Sequence, residues 1–246
     1  MNWPFGRTRN AKREKQPSRP AKEIPRDDER RGPAPPPPRT AHAPGVSVHR
    51  FGDESAPNCW RIDSRKEGEE EDFSEGKRNR TAAAVLLLRG QLKGAQVVLS
   101  PGDVLVGTAS ELEALRNPEA EPAFLTFVEI SSTIPLRTHH IRRDGLTGTA
   151  VPGITGLRAL AQLPEACLAV LRLGPPPGAR WVFKGIYAVA VFSGRLAAFD
   201  GDDAKEIRAG SLARVADPSA TLYLEAGNDA ALAVALAASG FVAALG

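Results

Sequence analysis

The chain has 246 residues, 42% of them apolar and only 6% aromatic, with a formal net charge of +3. That length holds one large domain or two small ones, and two cysteines, Cys59 and Cys167, exclude a disulfide framework or a zinc-cysteine site. The charge is uneven: residues 1–80 carry 18 of the 32 Lys and Arg and 14 of the 29 Asp and Glu, so the excess positive charge belongs to the leader and the rest is close to neutral.

From Met1 to about Gly45 no apolar period exists, and Pro, Arg, Lys and Glu dominate. Pro35–Pro38 favours polyproline II, and such a segment cannot bury enough apolar surface to offset the entropy of ordering. Residues 1–45 therefore read as a disordered, basic, Pro/Arg-rich leader without a secretory h-region. In residues 46–63, Val46, Val48, Phe51, Trp60 and Ile62 suit one or two strands at a barrel edge. Residues 64–80, with the acidic run at 67–72, read as a charged loop.

After Arg80 short apolar runs alternate with Gly, Pro and Asp turns, which is the rhythm of an all-β sandwich or barrel. Strands are expected at 82–88, 96–99, 104–106, 124–130, 168–173, 181–183, 186–192, 196–199, 212–215, 221–224 and 231–237. One helix is expected at 154–163, where Leu157, Leu160 and Ala161 fall at helical spacing before Pro164. The uncharged run 230–246 is too rich in Ala and Gly to insert well into a bilayer, and reads as a last strand followed by a short helix. The whole chain reads as cytoplasmic and soluble, with room for peripheral membrane contact.

Two stretches carry a family signature. Leu87-Leu-Arg-Gly90 closes a strand at a glycine, and Ser100-Pro-Gly-Asp-Val-Leu-Val106 opens a turn and strand, followed by Glu113 and Asn117 at characteristic offsets. Gly174-Pro-Pro-Pro-Gly178 precedes Trp181, Phe183, Tyr187 and Gly194, and a further segment runs from Gly210 to Thr221 and Glu225. Residues 81–246 thereby resemble two cupin halves, so the resemblance implies an all-β bicupin of two jelly-roll barrels, divided as 46–135 and 136–246, behind the leader. Cupin enzymes generally hold a divalent metal through imidazoles and a carboxylate. Here the corresponding positions read Lys77, Asn79, Ala83 and Glu113 in one copy and Trp181, Phe183, Tyr187 and Thr221 in the other. No metal or cofactor is expected.

Of the four histidines, His42 and His49 lie in or near the leader. His139 and His140 are adjacent, which on a strand points them to opposite faces, and they read as a solvated basic connection between the halves. Glu113 is either an interior carboxylate or a solvated one, depending on a one-residue register. Glu113, Trp181, Phe183, Tyr187 and Thr221 form the candidate ligand pocket, although aromatic side chains at such positions also simply fill small barrels. Neither a phosphate loop nor a nucleophile elbow is present.

The expected function is a non-catalytic scaffold, sensor or adaptor that binds a protein partner or a small ligand in a barrel. Trp3, Phe5 and Arg7 mark a tether in the leader, toward a protein partner or an anionic membrane surface. Interspersed acids and the lack of stacking aromatics argue against nucleic acid. Two alternatives remain: a metal-independent isomerase or lyase acting through Glu113 or Tyr187, and a different β-sandwich binding module resembling a forkhead-associated domain.

Overall fold

A computed structural model describes residues 43–63, 82–130, 136–145 and 148–246. It is nearly all β. The strands are β1 (Val46–Arg50), β2 (Cys59–Ile62), β3 (Ala82–Arg89), β4 (Leu92–Lys93), β5 (Val98–Leu99), β6 (Val104–Thr108), β7 (Ala123–Glu129), β8 (His139–Ile141) and β9 (Thr149–Ala150). They continue as β10 (Leu157–Leu163), β11 (Leu168–Leu173), β12 (Arg180–Ser193), β13 (Arg195–Asp200), β14 (Asp203–Arg208), β15 (Ser211–Val215), β16 (Leu222–Ala226) and β17 (Leu232–Leu245). The short helix α1 (Ala109–Glu113) follows β6. Among the described residues no helix is long and apolar enough to cross a membrane.

Five strands form one sheet in the order β2-β7-β3-β6-β8, and ten form a second around the long pair β12 and β17, all antiparallel. Side-chain alternation explains why β3 is an unbroken apolar run. Val85 and Leu87 face the first barrel with Leu105, Leu125 and Phe127. Ala82, Ala84, Leu86 and Leu88 face the other way, onto Val170, Ala188, Ala190, Leu212, Val234 and Leu236 of the second sheet. Strands β12 and β17 are likewise covered twice, since Val189, Val191, Ala233 and Ala235 turn into the second barrel. Strands buried on both faces read as continuous hydrophobic runs.

Strand pairing does not respect the boundary drawn at residue 135. β1 joins β15 of the second sheet, Val46 opposite Val215, whereas β2 joins β7 of the first. β8 pairs with β6 of the first sheet, so His139 and His140 belong to a strand and not to a solvated connection. Asp103 fixes that strand: its carboxylate accepts the backbone N–H of Arg143 at 2.9 Å and of Ser100 at 3.1 Å.

The helix expected at 154–163 is instead β10. A register shift between Ala159 and Ala161 is the reason. Before it, Leu157 and Ala159 face the second barrel, and after it Ala161 and Leu163 face the interface between the sheets. A bulge that switches faces imitates the helical period. β12 also slips at Gly185, whose φ of +90° suits glycine and where a Cβ would sit a tight 3.2 Å from the Phe241 Cα. The short helix expected near residue 246 is also absent, and β17 runs on to Leu245.

One polar clamp holds β1. Asp200 accepts the backbone N–H of Gly45 at 2.9 Å and of Val46 at 3.1 Å, together with Lys205 Nζ at 2.7 Å. Burial alone raises the Asp200 pKa, but the bonds from Lys205, Gly45 and Val46 outweigh it and leave the carboxyl below its ordinary value. A depressed acid contributes stability that is present above the unfolded-state pKa, about 3.9, and is lost as pH falls through the folded value. Asp200→Asn is expected to cost about 1–3 kcal/mol at neutral pH. Chemical denaturation across pH checks this: the gap between parent and variant must close below about pH 4.

Candidate functional site

Each barrel has an inner face on which a ligand or metal would be held, and the residues there differ between the halves. In the first, α1 caps one end. Thr108 and Glu111 close a capping box, the Thr108 N–H reaching Glu111 Oε2 at 2.8 Å and its hydroxyl reaching the same oxygen at 3.0 Å. Glu111 also accepts the Thr138 hydroxyl. That bond first, and the Thr108 amide second, hold the Glu111 pKa below its usual value against the opposing effect of burial. The sequence reading passed over Glu111, although Thr-x-x-Glu ahead of an apolar pair is a legible signal.

Next to α1 lies a narrow cleft of about 30 Å³ whose walls include Trp60, Ile62, Val85, Leu112, Leu115 and Leu125. Trp60 packs on Phe127 with ring centroids 4.0 Å apart. Ala83 and Glu113, two of the positions that resemble metal-ligand positions, also line this cleft. Glu113 is exposed at the last residue of α1, on a helix where a strand position was expected. Lys77 and Asn79 lie outside the described residues, as do Trp3, Phe5 and Arg7.

In the second barrel Trp181 is 2% exposed and Phe183 is fully buried, their rings meeting edge to face at 5.9 Å. They pack with Leu222 and Leu224, directly across from Phe183 and Trp181 on β16. Tyr187 does not join them. It is the extra residue of the register shift between Ile186 and Ala188 and is half-buried. Thr221 lies just before β16 and is half-buried. Five candidates thus divide into a buried pair, a bulge residue, a half-buried threonine ahead of a strand and a carboxylate in the other barrel.

Neither a family model nor a curated relative matches the sequence. Solved structures do. A Pseudomonas aeruginosa protein described as glyoxylate-induced is similar at 15% identity and a TM-score of 0.52, over 87% of this chain and 93% of that one. The fold is cupin-like. AerE from Microcystis aeruginosa is 14% identical over 78% of this chain and 85% of its own, with a TM-score of 0.46. Salicylate 1,2-dioxygenase from Pseudaminobacter salicylatoxidans is 13% identical over 82% and 75%, also at 0.46.

Cupin enzymes' imidazole-and-carboxylate metal site finds no matching donor set among the described residues. Among the described residues no three His, Cys, Asp or Glu side chains come together in a way that could hold an ion. His139 Nε2 faces Glu165 at 3.6 Å and His140 Nε2 faces Asp103 at 3.3 Å, on opposite sides of β8. His49 sits between Asp53 and Ser47 on the N-terminal strand. Cys59 offers no ready thiolate, because burial pushes its half-buried thiol upward.

Core packing of the aromatics gives a direct expectation. Trp181→Ala and Phe183→Ala should each cost about 3–5 kcal/mol, whereas Glu113→Gln should stay within about 0.5 kcal/mol, as exposed substitutions do. Denaturation midpoints of the three variants beside the parent check both statements.

Proposed function

We propose that the protein is a non-catalytic cupin-fold binding module, and that its first barrel takes the apolar end group of a small ligand carrying a cationic or hydrogen-bond-donating head. The carrying observation is the chemistry of the cleft beside α1: its walls are apolar, with Trp60, Ile62, Val85 and Leu125 on the sheet side, and its rim holds the Glu113 carboxylate. Ligand sites combine apolar walls with a few placed polar groups in this manner. The second barrel has Trp181 and Phe183 packed into its core and serves as the platform on which the first is mounted.

An enzyme acting through Glu113 or Tyr187 is the alternative, and the two could share acid and base roles only within reach of one substrate. Glu113 lines the first barrel's cleft and Tyr187 sits on the long strand of the second sheet, so they do not form a pair. The leader, with Trp3, Phe5 and Arg7, serves in this reading as a tether to a protein partner.

The test uses Trp60 as reporter. Short aliphatic amines, titrated into the full-length protein, are expected to change the Trp60 emission saturably, and Trp60→Phe to remove that signal. Glu113→Gln should weaken binding about tenfold, the equivalent of about 1.4 kcal/mol, without shifting the denaturation midpoint. Saturable binding that ignores both substitutions would place the ligand elsewhere, and turnover of any screened amine would overturn the non-catalytic reading.

A further inference from the structure

The second sheet ends differently on its several edges. β14 closes one end and carries four charged side chains in six residues, Asp203, Lys205, Glu206 and Arg208. Charges on an edge strand oppose pairing with another chain. β17 is unlike it. From Ala230 onward the sequence contains no charged residue. β17 pairs with β11 only as far as Ala238, so beyond that point one side of the strand has no partner among the described residues.

The ladder on the other side fixes which backbone groups face outward. Gly246 donates its N–H to Arg180 at 3.0 Å, and the register runs Trp181–Leu245, Val182–Ala244, Phe183–Ala243 and Lys184–Val242. Antiparallel pairs alternate between bonded and non-bonded, so Val242, Ala244 and Gly246 bond to β12. Phe241, Ala243 and Leu245 turn their N–H and C=O groups away from it. The opposite edge of β12 agrees, since Ala226 donates to Ala179 at 2.8 Å and the bonded pairs with β16 therefore fall on Trp181 and Phe183.

Three large apolar side chains are exposed among the described residues, and two of them, Val242 at 59% and Leu245 at 62%, lie on this edge. Backbone groups without a partner among the described residues, exposed apolar side chains and an absence of charge coincide over five residues.

We propose that this edge binds a second copy of the chain, Phe241–Leu245 pairing antiparallel with its own counterpart about a two-fold axis at Ala243. The register is self-consistent. A two-fold at Ala243 sets Phe241 opposite the second copy's Leu245 and Ala243 opposite itself, and these are the residues whose backbone groups point outward. Each such pairing supplies two backbone hydrogen bonds. Leu245 gains an aromatic cross-strand neighbour, a favourable pairing on a sheet, and Val242 lies beside an alanine that leaves it room. An uncharged strand meets an uncharged strand, without the penalty that β14 would impose.

Sedimentation of the full-length protein over a micromolar concentration series tests the pairing. A monomer–dimer equilibrium is expected. Ala243→Pro removes an N–H that only the second copy uses, which an edge position tolerates, and should weaken dimerisation at least about tenfold, roughly 1.4 kcal/mol, with the denaturation midpoint of the monomer retained. Leu245→Lys, at an exposed side chain, should do the same and covers the case in which the proline variant fails to fold. In a Cys167→Ser background, Ala243→Cys should form an intermolecular disulfide under mild oxidation, because the axis brings the two copies' residue 243 together, and Ala244→Cys should not. A monomer at every concentration overturns the proposal. So does a dimer that survives both substitutions, or one that cross-links equally at 243 and 244.

Discussion

Apolar contact between the two sheets is the constraint on which the remaining structure depends. Leu86 and Leu88 of β3 meet Val170, Leu212, Val234 and Leu236 across an apolar layer. Each aliphatic side chain of that size contributes about 1.5–3 kcal/mol when fully buried. The layer obliges β3, β11, β12 and β17 to be apolar on both faces, and so it sets their composition. The inner faces of the barrels are a separate matter. With the sheets held from outside, the barrel interiors can carry alanine, tryptophan and phenylalanine without loss of the fold.

At the edge of that layer the polar contacts are few and specific. Arg214 of β15 crosses to the first sheet, donating from Nη1 to Thr126 Oγ1 and to the Phe127 carbonyl, each at 3.3 Å. Burial works against its charge and pushes its pKa down. Thr126 in turn donates to the Asn58 carbonyl at 3.1 Å. The seam is thereby fixed in register by groups that have little freedom to pair otherwise.

Much of this fold was legible because its strands obey local rules. The run from Leu168 to Leu173 between a 3-10 turn and Gly174 is a strand by length and composition alone, and the twin glycine-and-turn pattern carried the bicupin architecture. Two misreadings share one physical reason: a bulge breaks the two-residue period. Leu157, Leu160 and Ala161 imitate a helix because the register slips between Ala159 and Ala161, and Tyr187 misses the core that Trp181 and Phe183 occupy because it stands in a second slip. The cleft was illegible for another reason. Trp60 comes from β2, far upstream of the α1 residues it faces, and no local pattern announces a non-local wall.

The clamp on β1 has a consequence for how the chain comes into being. Val46 is held by Asp200, 154 residues later in the chain, and lies along β15, whose residues emerge later still. At roughly 5–20 residues per second during synthesis, the first strand leaves the ribosome about 8–30 s before its partners exist. Until then its apolar side chains, Val46 and Val48, have no sheet to join. Closure of such a distant pairing is slow for reasons of chain entropy. Strand β1 is therefore among the last to find its place, and the early half must wait, partly unfinished, for the late half to arrive.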